Sequence, residues 1–211
     1  MRTYLDCYPC FLRQALSAAR QTGADDAQQH AIIGATLALL QTLPPGKTPP
    51  EIGYAVHRIV RERMGHGDPY RDIKAQSTRA ALALYSRLKT LVAASADPLE
   101  TAVRVSIAGN IIDFALTDEL ADLGSVVERV LAAPFAVNDM TALRTALQAA
   151  DRVLYLADNA GETVFDRVLI EMLGLPVTYV VKGGPTLNDA TREDALAAEL
   201  ETCAAIIDNG S

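Results

Sequence analysis

Aromatic residues make up only 5% of the 211-residue chain, cysteines number three, and long apolar runs are missing. The longest apolar stretch, Ala31 to Leu40, falls far short of the roughly 20 residues that a membrane-spanning helix needs. The N-terminal Met-Arg-Thr-Tyr-Leu-Asp-Cys has neither the apolar core nor the small-residue cleavage site of a secretory signal. An odd and small cysteine count does not make a disulfide framework. No internal repeats, low-complexity tracts or Gly/Ser linkers interrupt the sequence. These absences lead to the expectation of a soluble, cytoplasmic protein with no membrane partner. What is present is globular material: half the residues are hydrophobic and 21% are charged, which excludes a disordered or collagen-like chain. The length suits one large domain or two small ones.

The net charge of −7 is unevenly spread. Residues 1–100 carry twelve Lys and Arg against nine Asp and Glu, whereas residues 101–211 carry seven against seventeen. An acidic second half with no basic cluster argues against a nucleic-acid partner. It suits a site that concentrates carboxylates, and equally a solvated acidic surface.

The first half reads as helices only. Phe11 to Arg20 has apolar residues at helical spacing and stops at Gly23. Asp25 can cap a second helix running to about Leu43, which Pro44-Pro45-Gly46 breaks. Thr48-Pro49-Pro50-Glu51 is a capping box with proline at the first helical position, so a third helix should run to Met64 and stop at Gly65. Asp68-Pro69 opens a fourth, to about Ala94, and Asp97-Pro98-Leu99-Glu100 opens a fifth that ends at Gly109.

From Asp151 the pattern changes. Val153 to Ala157, Val177 to Val181 and Ala205 to Ile207 are short continuous apolar runs. Between them lie helical segments, Glu162 to Leu173 (closed by Gly174) and about Ala190 to Glu201. Such alternation predicts βαβ units around a buried, mainly parallel sheet. The fold class expected is α/β: a helical N-terminal region over 1–115, then a Rossmann-like three-layer domain over 116–211. The sequence stops as a third unit should begin, so a C-terminal truncation, or an edge covered by another chain, is expected.

Ligands of open parallel sheets sit beyond the carboxyl ends of the strands. Asp158 follows the first predicted strand, Asp189 lies in the loop after the second, and Asp208 follows the third. Converging carboxylates with the amide of Asn159 would suit Mg²⁺ or Mn²⁺. The competing reading makes them helix and turn caps, with Asp189 capping the helix that follows. Lys182 beside Gly183-Gly184 suits an anion, phosphate above all. No P-loop, dinucleotide fingerprint or Gly-x-Ser-x-Gly elbow is present. A metal beside an anion cradle points to phosphoryl transfer to water.

Taken in order, Asp158-Asn159-Ala160-Gly161-Glu162, Lys182-Gly183-Gly184-Pro185 and Asn188-Asp189-Ala190-Thr191 closely resemble the damage-control phosphatase family, formerly catalogued as domain of unknown function 89. Cys7-Tyr8-Pro9-Cys10 looks like the Cys-x-x-Cys of its prokaryotic branch. Asp68-Pro69-Tyr70 with Lys74, and Gly109-Asn110-Ile111-Ile112-Asp113-Phe114, resemble two further signatures. The resemblance spans essentially the whole chain. It implies a divalent-metal-dependent phosphatase of phosphometabolites, such as sugar phosphates or damaged cofactor precursors. By this resemblance Asp158, Asn159 and Asp189 are metal ligands, and Asn110 and Asp113 reach the site from the helical region to bind substrate. Lys182 holds the phosphate with Gly183. Glu162 is a base or supporting carboxylate, or else a helix cap. Asn188 binds substrate or shapes its turn. The family's later Lys-Gly-Gln-Gly-Asn-Tyr/Phe-Glu motif has no match here, so either the sequence is truncated or the site is incomplete.

Cys7 and Cys10 share a helix face, which is compatible with packed thiols, half a zinc site between chains or a redox couple. His57, on an apolar helix face, reads as structural, and His66 lies in a loop that can approach a substrate. Asp158 can in principle form an aspartyl-phosphate, but attack by metal-activated water is the simpler expectation. The expected cofactor is Mg²⁺ or Mn²⁺, with Co²⁺ and Ni²⁺ compatible, and the expected partner is a small phosphorylated metabolite. Two rival functions follow from the same residues. One is an S-adenosylmethionine-dependent methyltransferase, because the Rossmann-like topology can hold that cofactor and a related branch of the family has been discussed so. The other is a non-catalytic metabolite-binding module.

Overall fold

The computed structural model describes residues 2–44, 46–65, 67–111 and 123–210. The chain forms two compact units, one of Met1–Asp72 with Pro185–Leu187 and one of Ile73–Gly184 with Asn188–Ser211.

The first unit is built on α1 (Cys7–Gln21), α2 (Asp26–Gln41) and α3 (Pro49–Met64). Their ends follow local chemistry. The Asp25 carboxylate accepts the Gln28 backbone N–H at 2.8 Å while the Gln28 side chain accepts the Asp25 N–H at 2.9 Å, a reciprocal box that starts α2. Thr48 and Glu51 form the same box at α3, which has proline in its first turn and ends on Gly65 in the left-handed conformation. Phe11, Ile32, Ile52, Val56 and Val60 are buried in this unit. His57 on α3 is buried too, edge-on to Tyr70 with ring centroids 5.8 Å apart.

The second unit takes most of α4 (Arg71–Ala94), then α5 (Pro98–Ile111), α6 (Leu123–Ala132), α7 (Met140–Ala149), β1 (Val153–Leu156), α8 (Thr163–Leu173), β2 (Val177–Val181), α9 (Arg192–Ala197) and β3 (Ala205–Asp208). The strands are parallel in the order β1-β2-β3, in a register that pairs Val153 with Val177 and Val181 with Asp208. This is the expected α/β class: a mostly helical chain around a small parallel sheet. The compact units part at Asp72–Ile73. The reason is packing: Ala81, Leu88 and Val92 of α4 and Ala102, Val105 and Ala108 of α5 belong to the same core as Phe165 and Tyr179.

Helices α5 and α8 pack tightly against each other, and Gly109 allows the approach. A Cβ at that position would sit 2.7 Å from the Cβ of Phe165. Two elements differ from the sequence expectation. Helices α6 and α7 fill a stretch that the strand and cap signals leave unassigned. The helix expected over Ala190 to Glu201 is shorter: Thr191 and Asp194 form a capping box that starts α9 at Arg192, and Glu199 takes a left-handed φ of 58° before a 3-10 turn at Leu200–Thr202. Among the described residues, no helix is long and apolar enough to cross a membrane.

Candidate active site

The carboxyl ends of β1 and β2 open into two loops that are stitched together by backbone bonds. Ala190 N–H donates to the Asp158 carbonyl at 2.7 Å, and Ala160 N–H donates to the Asn188 carbonyl at 2.9 Å. Asn159 and Asp189 pair as an antiparallel bridge, and Lys182 N–H donates to the Ala190 carbonyl at 2.9 Å. Through this stitching, residues about 30 positions apart in sequence, Asp158-Asn159 and Asp189, become neighbours. Asp189 is therefore not a helix cap, since the capping role belongs to Thr191. The backbone of Asn188 shapes the turn through its carbonyl.

The side chains concentrate negative charge. Asp158 is exposed, Asn159 and Asp189 are half-buried, and Glu162 is buried. Asn110, at the end of α5, donates through Nδ2 to Asp158 Oδ2 at 2.9 Å and to Glu162 Oε2 at 3.0 Å. Asn159 adds a backbone N–H to Glu162 at 3.4 Å. Glu162 makes no cap hydrogen bond to α8, so its carboxylate belongs to this cluster and not to the helix end. Burial pushes Glu162 up to about 7, with the neighbouring Asp166 and Asp158 charges adding to the rise and the Asn110 hydrogen bond opposing it. Burial also raises Asp189, assisted by Asp158 and opposed by Lys182. The Lys182 ammonium stands 3.4 Å from Asp189 Oδ2.

Of the sequence-predicted residues, Asn110, Asp158, Asn159, Glu162, Lys182, Asn188 and Asp189 thus meet in one unit at one edge. Gly183 is adjacent, but its N–H already donates to Asn209 Oδ1 at 3.0 Å. Asp113 and His66 lie outside the described residues. Asn209, which the sequence gives only as a residue after the third strand, emerges as the partner that shapes the glycine turn. Lys74 is also built in. It is buried, with its ammonium 2.6 Å from Asp194 Oδ2, and so ties α4 to the capping box of α9. A shallow groove of about 720 Å³ beside Leu91, Asp97, Arg104 and Pro134 lies elsewhere and is lined by none of these carboxylates.

Two carboxylates and one amide oxygen form an open donor set. Among the described residues no group of three or more His, Cys, Asp or Glu side chains is arranged to hold a metal ion. An open set fits a hard divalent ion, because Mg²⁺ takes one or two carboxylates and completes its shell with water and substrate phosphate. The mutual crowding of Asp158 and Asp189 is the charge pattern a cation relieves. Cys7, Cys10 and Cys203 are free thiols. Cys7 is half-buried and Cys10 exposed at the start of α1, where the Gln14 amide lies 3.6 Å from the Cys10 sulfur.

Residues 3–211 match the family model described as the damage-control phosphatase ARMT1-like domain. An uncharacterized protein of Methanocaldococcus jannaschii is 31% identical over 98% of this chain and 70% of its own length. A damage-control phosphatase of Pyrococcus horikoshii is 29% identical over 100% of this chain and 74% of its own. One of Archaeoglobus fulgidus is 34% identical over 71% of this chain and 53% of its own. The crystal structure of a DUF89 family protein from Pyrococcus horikoshii superimposes with a TM-score of 0.90 at 27% identity, covering 100% of this chain and 75% of that one.

Proposed function

The chain belongs to the damage-control phosphatase ARMT1-like family, and on that premise we propose that it is a divalent-metal-dependent phosphatase hydrolysing phosphate monoesters of small metabolites, sugar phosphates or damaged phosphometabolites, in the cytoplasm. The observation that carries the reading is the bridge between Asn159 and Asp189, which sets Asp158, Asn159 and Asp189 side by side with Lys182 at the sheet edge. Asp158, Asn159 and Asp189 are the residues that would hold the ion, Mg²⁺ or Mn²⁺ first, with Co²⁺ and Ni²⁺ compatible. Such an ion supplies neutralisation of phosphate charge and acidification of water.

The chain's own residues do the rest. Lys182 supplies a cation for the phosphate, and on substrate binding it exchanges part of its contact with Asp189 for a phosphate oxygen. Asn110 holds Asp158 and Glu162 in fixed orientation from α5. Glu162, buried against the loop, would take a proton from the attacking water. Gly183 and Asn188 border the place where the substrate would lie.

The test is turnover of p-nitrophenyl phosphate by metal-stripped protein, with and without each divalent ion, beside Asp158→Ala. The expected result is ion-dependent turnover that falls by about 100-fold or more in the variant, the scale of losing a charge-stabilising group in an active site. Absence of turnover with every ion, in folded protein, would overturn the reading. Tight binding of S-adenosylmethionine without metal would move the chain to the methyltransferase reading instead.

A further inference from the structure

Helices α5 and α8 are joined by two polar rungs one helical turn apart. The upper rung is Asn110 to Glu162, at 3.0 Å, and the lower is Ser106 Oγ donating to Asp166 Oδ1 at 2.9 Å. Ser106 and Asn110 are four residues apart on α5, as are Glu162 and Asp166 at the start of α8, so each pair lies along one helix face. Asp166 is fully buried. Its first oxygen also accepts the Tyr155 hydroxyl of β1 at 2.5 Å, and its second accepts the Tyr179 hydroxyl of β2 at 2.7 Å. The two tyrosine rings stack with centroids 5.4 Å apart. One carboxyl group therefore ties both helices and two strands together directly beneath the candidate site.

A seam needed only for stability would be filled more cheaply by apolar side chains, because burying a carboxyl is costly even when it is hydrogen-bonded. What the lower rung adds is direction. Hydrogen bonds lose strength steeply with distance and angle, so the Asp166 cluster fixes how far α5 stands along α8. The upper rung inherits that register. Gly109, between Ser106 and Asn110, allows the backbones to approach closely enough for both rungs to form.

We propose that Asp166, held by Ser106, Tyr155 and Tyr179, is a positioning residue that sets Asn110 and Glu162 in register with Asp158 for the reaction. The assignment of a reaction rests on the phosphatase reading above; the register itself does not.

Two readouts separate these. The side-chain amide resonances of Asn110 in ¹⁵N-labelled protein, identified by their disappearance in Asn110→Asp, report the upper rung without metal or substrate. Steady-state turnover of p-nitrophenyl phosphate with Mn²⁺ reports its consequence. Ser106→Ala and Tyr155→Phe each delete one hydroxyl and leave Asp166 with two donors, so they disturb the fold less than replacement of Asp166 itself. The expected result is a moved Asn110 amide resonance and a kcat about 10-fold lower, the scale seen for groups that orient a site's ligands, with KM within about twofold. A resonance unmoved in both variants, whatever happens to kcat, would overturn the proposal, as would a moved resonance with unchanged kcat in an active enzyme. If the wild-type protein turns over no substrate with any ion, the phosphatase reading fails, and the amide resonance alone decides whether Asp166 sets the register.

Discussion

His57 in the helical unit and Asp166 in the α/β unit are both buried in a core, and they are treated in opposite ways. In the α/β unit, Asp166 is met by three hydroxyl donors from three different elements. In the helical unit, neither ring nitrogen of His57 has a hydrogen-bond partner among the described residues, and the buried Gln14 Oε1 is in the same position. A buried polar group with all its partners specifies a geometry, whereas one without them only costs stability. The candidate site lies wholly in the unit that holds the Asp166 network, where Thr78 Oγ1 is, among the described residues, the buried side-chain atom without a partner. The sharpest way to break the comparison is to remove the polar group on the satisfied side. Asp166→Leu keeps the bulk but takes the shared acceptor from three hydroxyls: Ser106 and Tyr155 still have each other at 2.9 Å, while the buried Tyr179 hydroxyl is stranded, at roughly 1–3 kcal/mol for an unpaired group. Chemical denaturation should show a loss of about 3–5 kcal/mol. A loss under about 1 kcal/mol would mean the network contributes nothing beyond packing.

The two buried groups contribute to stability with opposite dependence on pH. Burial pushes His57 from 6.5 down to about 4; Arg61 adds to the fall and Asp68 opposes it. Below 6.5 the unfolded chain binds a proton that the folded unit refuses, so this contribution is intact above about 6.5 and is lost as pH falls toward 4. At 1.36 kcal/mol per pKa unit the loss approaches about 3 kcal/mol. Burial pushes Asp166 the other way, from 3.8 up to about 6, against its three hydroxyl donors. Here the folded unit keeps a proton that the unfolded chain releases, so the contribution is intact below about 4 and is lost as pH rises through about 6. Its size is about 2–3 kcal/mol. Amide hydrogen-exchange protection, followed from pH 4 to 7 with about one-unit steps, resolves the units separately. Protection in α3 should rise with pH while that in α8 falls. Parallel changes in both would remove the distinction.

How much of this the sequence carried depends on whether the signal is local. The boxes at Asp25 and Thr48, the stop at Gly65 and the strand Val177–Val181 are set by neighbours a few residues away, and they match the expectation closely. Thr191-Arg192-Glu193-Asp194 carries the same capping grammar, yet the preceding Asp189 drew the helix start toward itself. The candidate site was legible as a set of residues through its ordered motifs. Its geometry was not, because the Asn159–Asp189 bridge and the Asn110 contacts join distant segments. Asp166, Tyr155 and Tyr179 gave no signal at all. A tyrosine in an apolar strand run and an aspartate inside an amphipathic helix look ordinary until the fold brings them together.

The smallest effect expected is also the one with the less familiar sign. His57→Phe removes both unpartnered nitrogens while keeping a ring edge-on to Tyr70. The added bulk costs something in a core where His57 is almost fully buried. Against that stands relief of a polar burial penalty on the order of 1–3 kcal/mol. The net expected at pH 7 is a gain of about 1 kcal/mol, seen as a higher midpoint in urea. The variant should also lose the part of the acid-side decline in α3 protection that His57 contributes. A loss of stability at neutral pH would show that the imidazole has partners within the helical unit. His57 and Asp166 would then both be satisfied groups, and the difference between the units would reduce to the site alone.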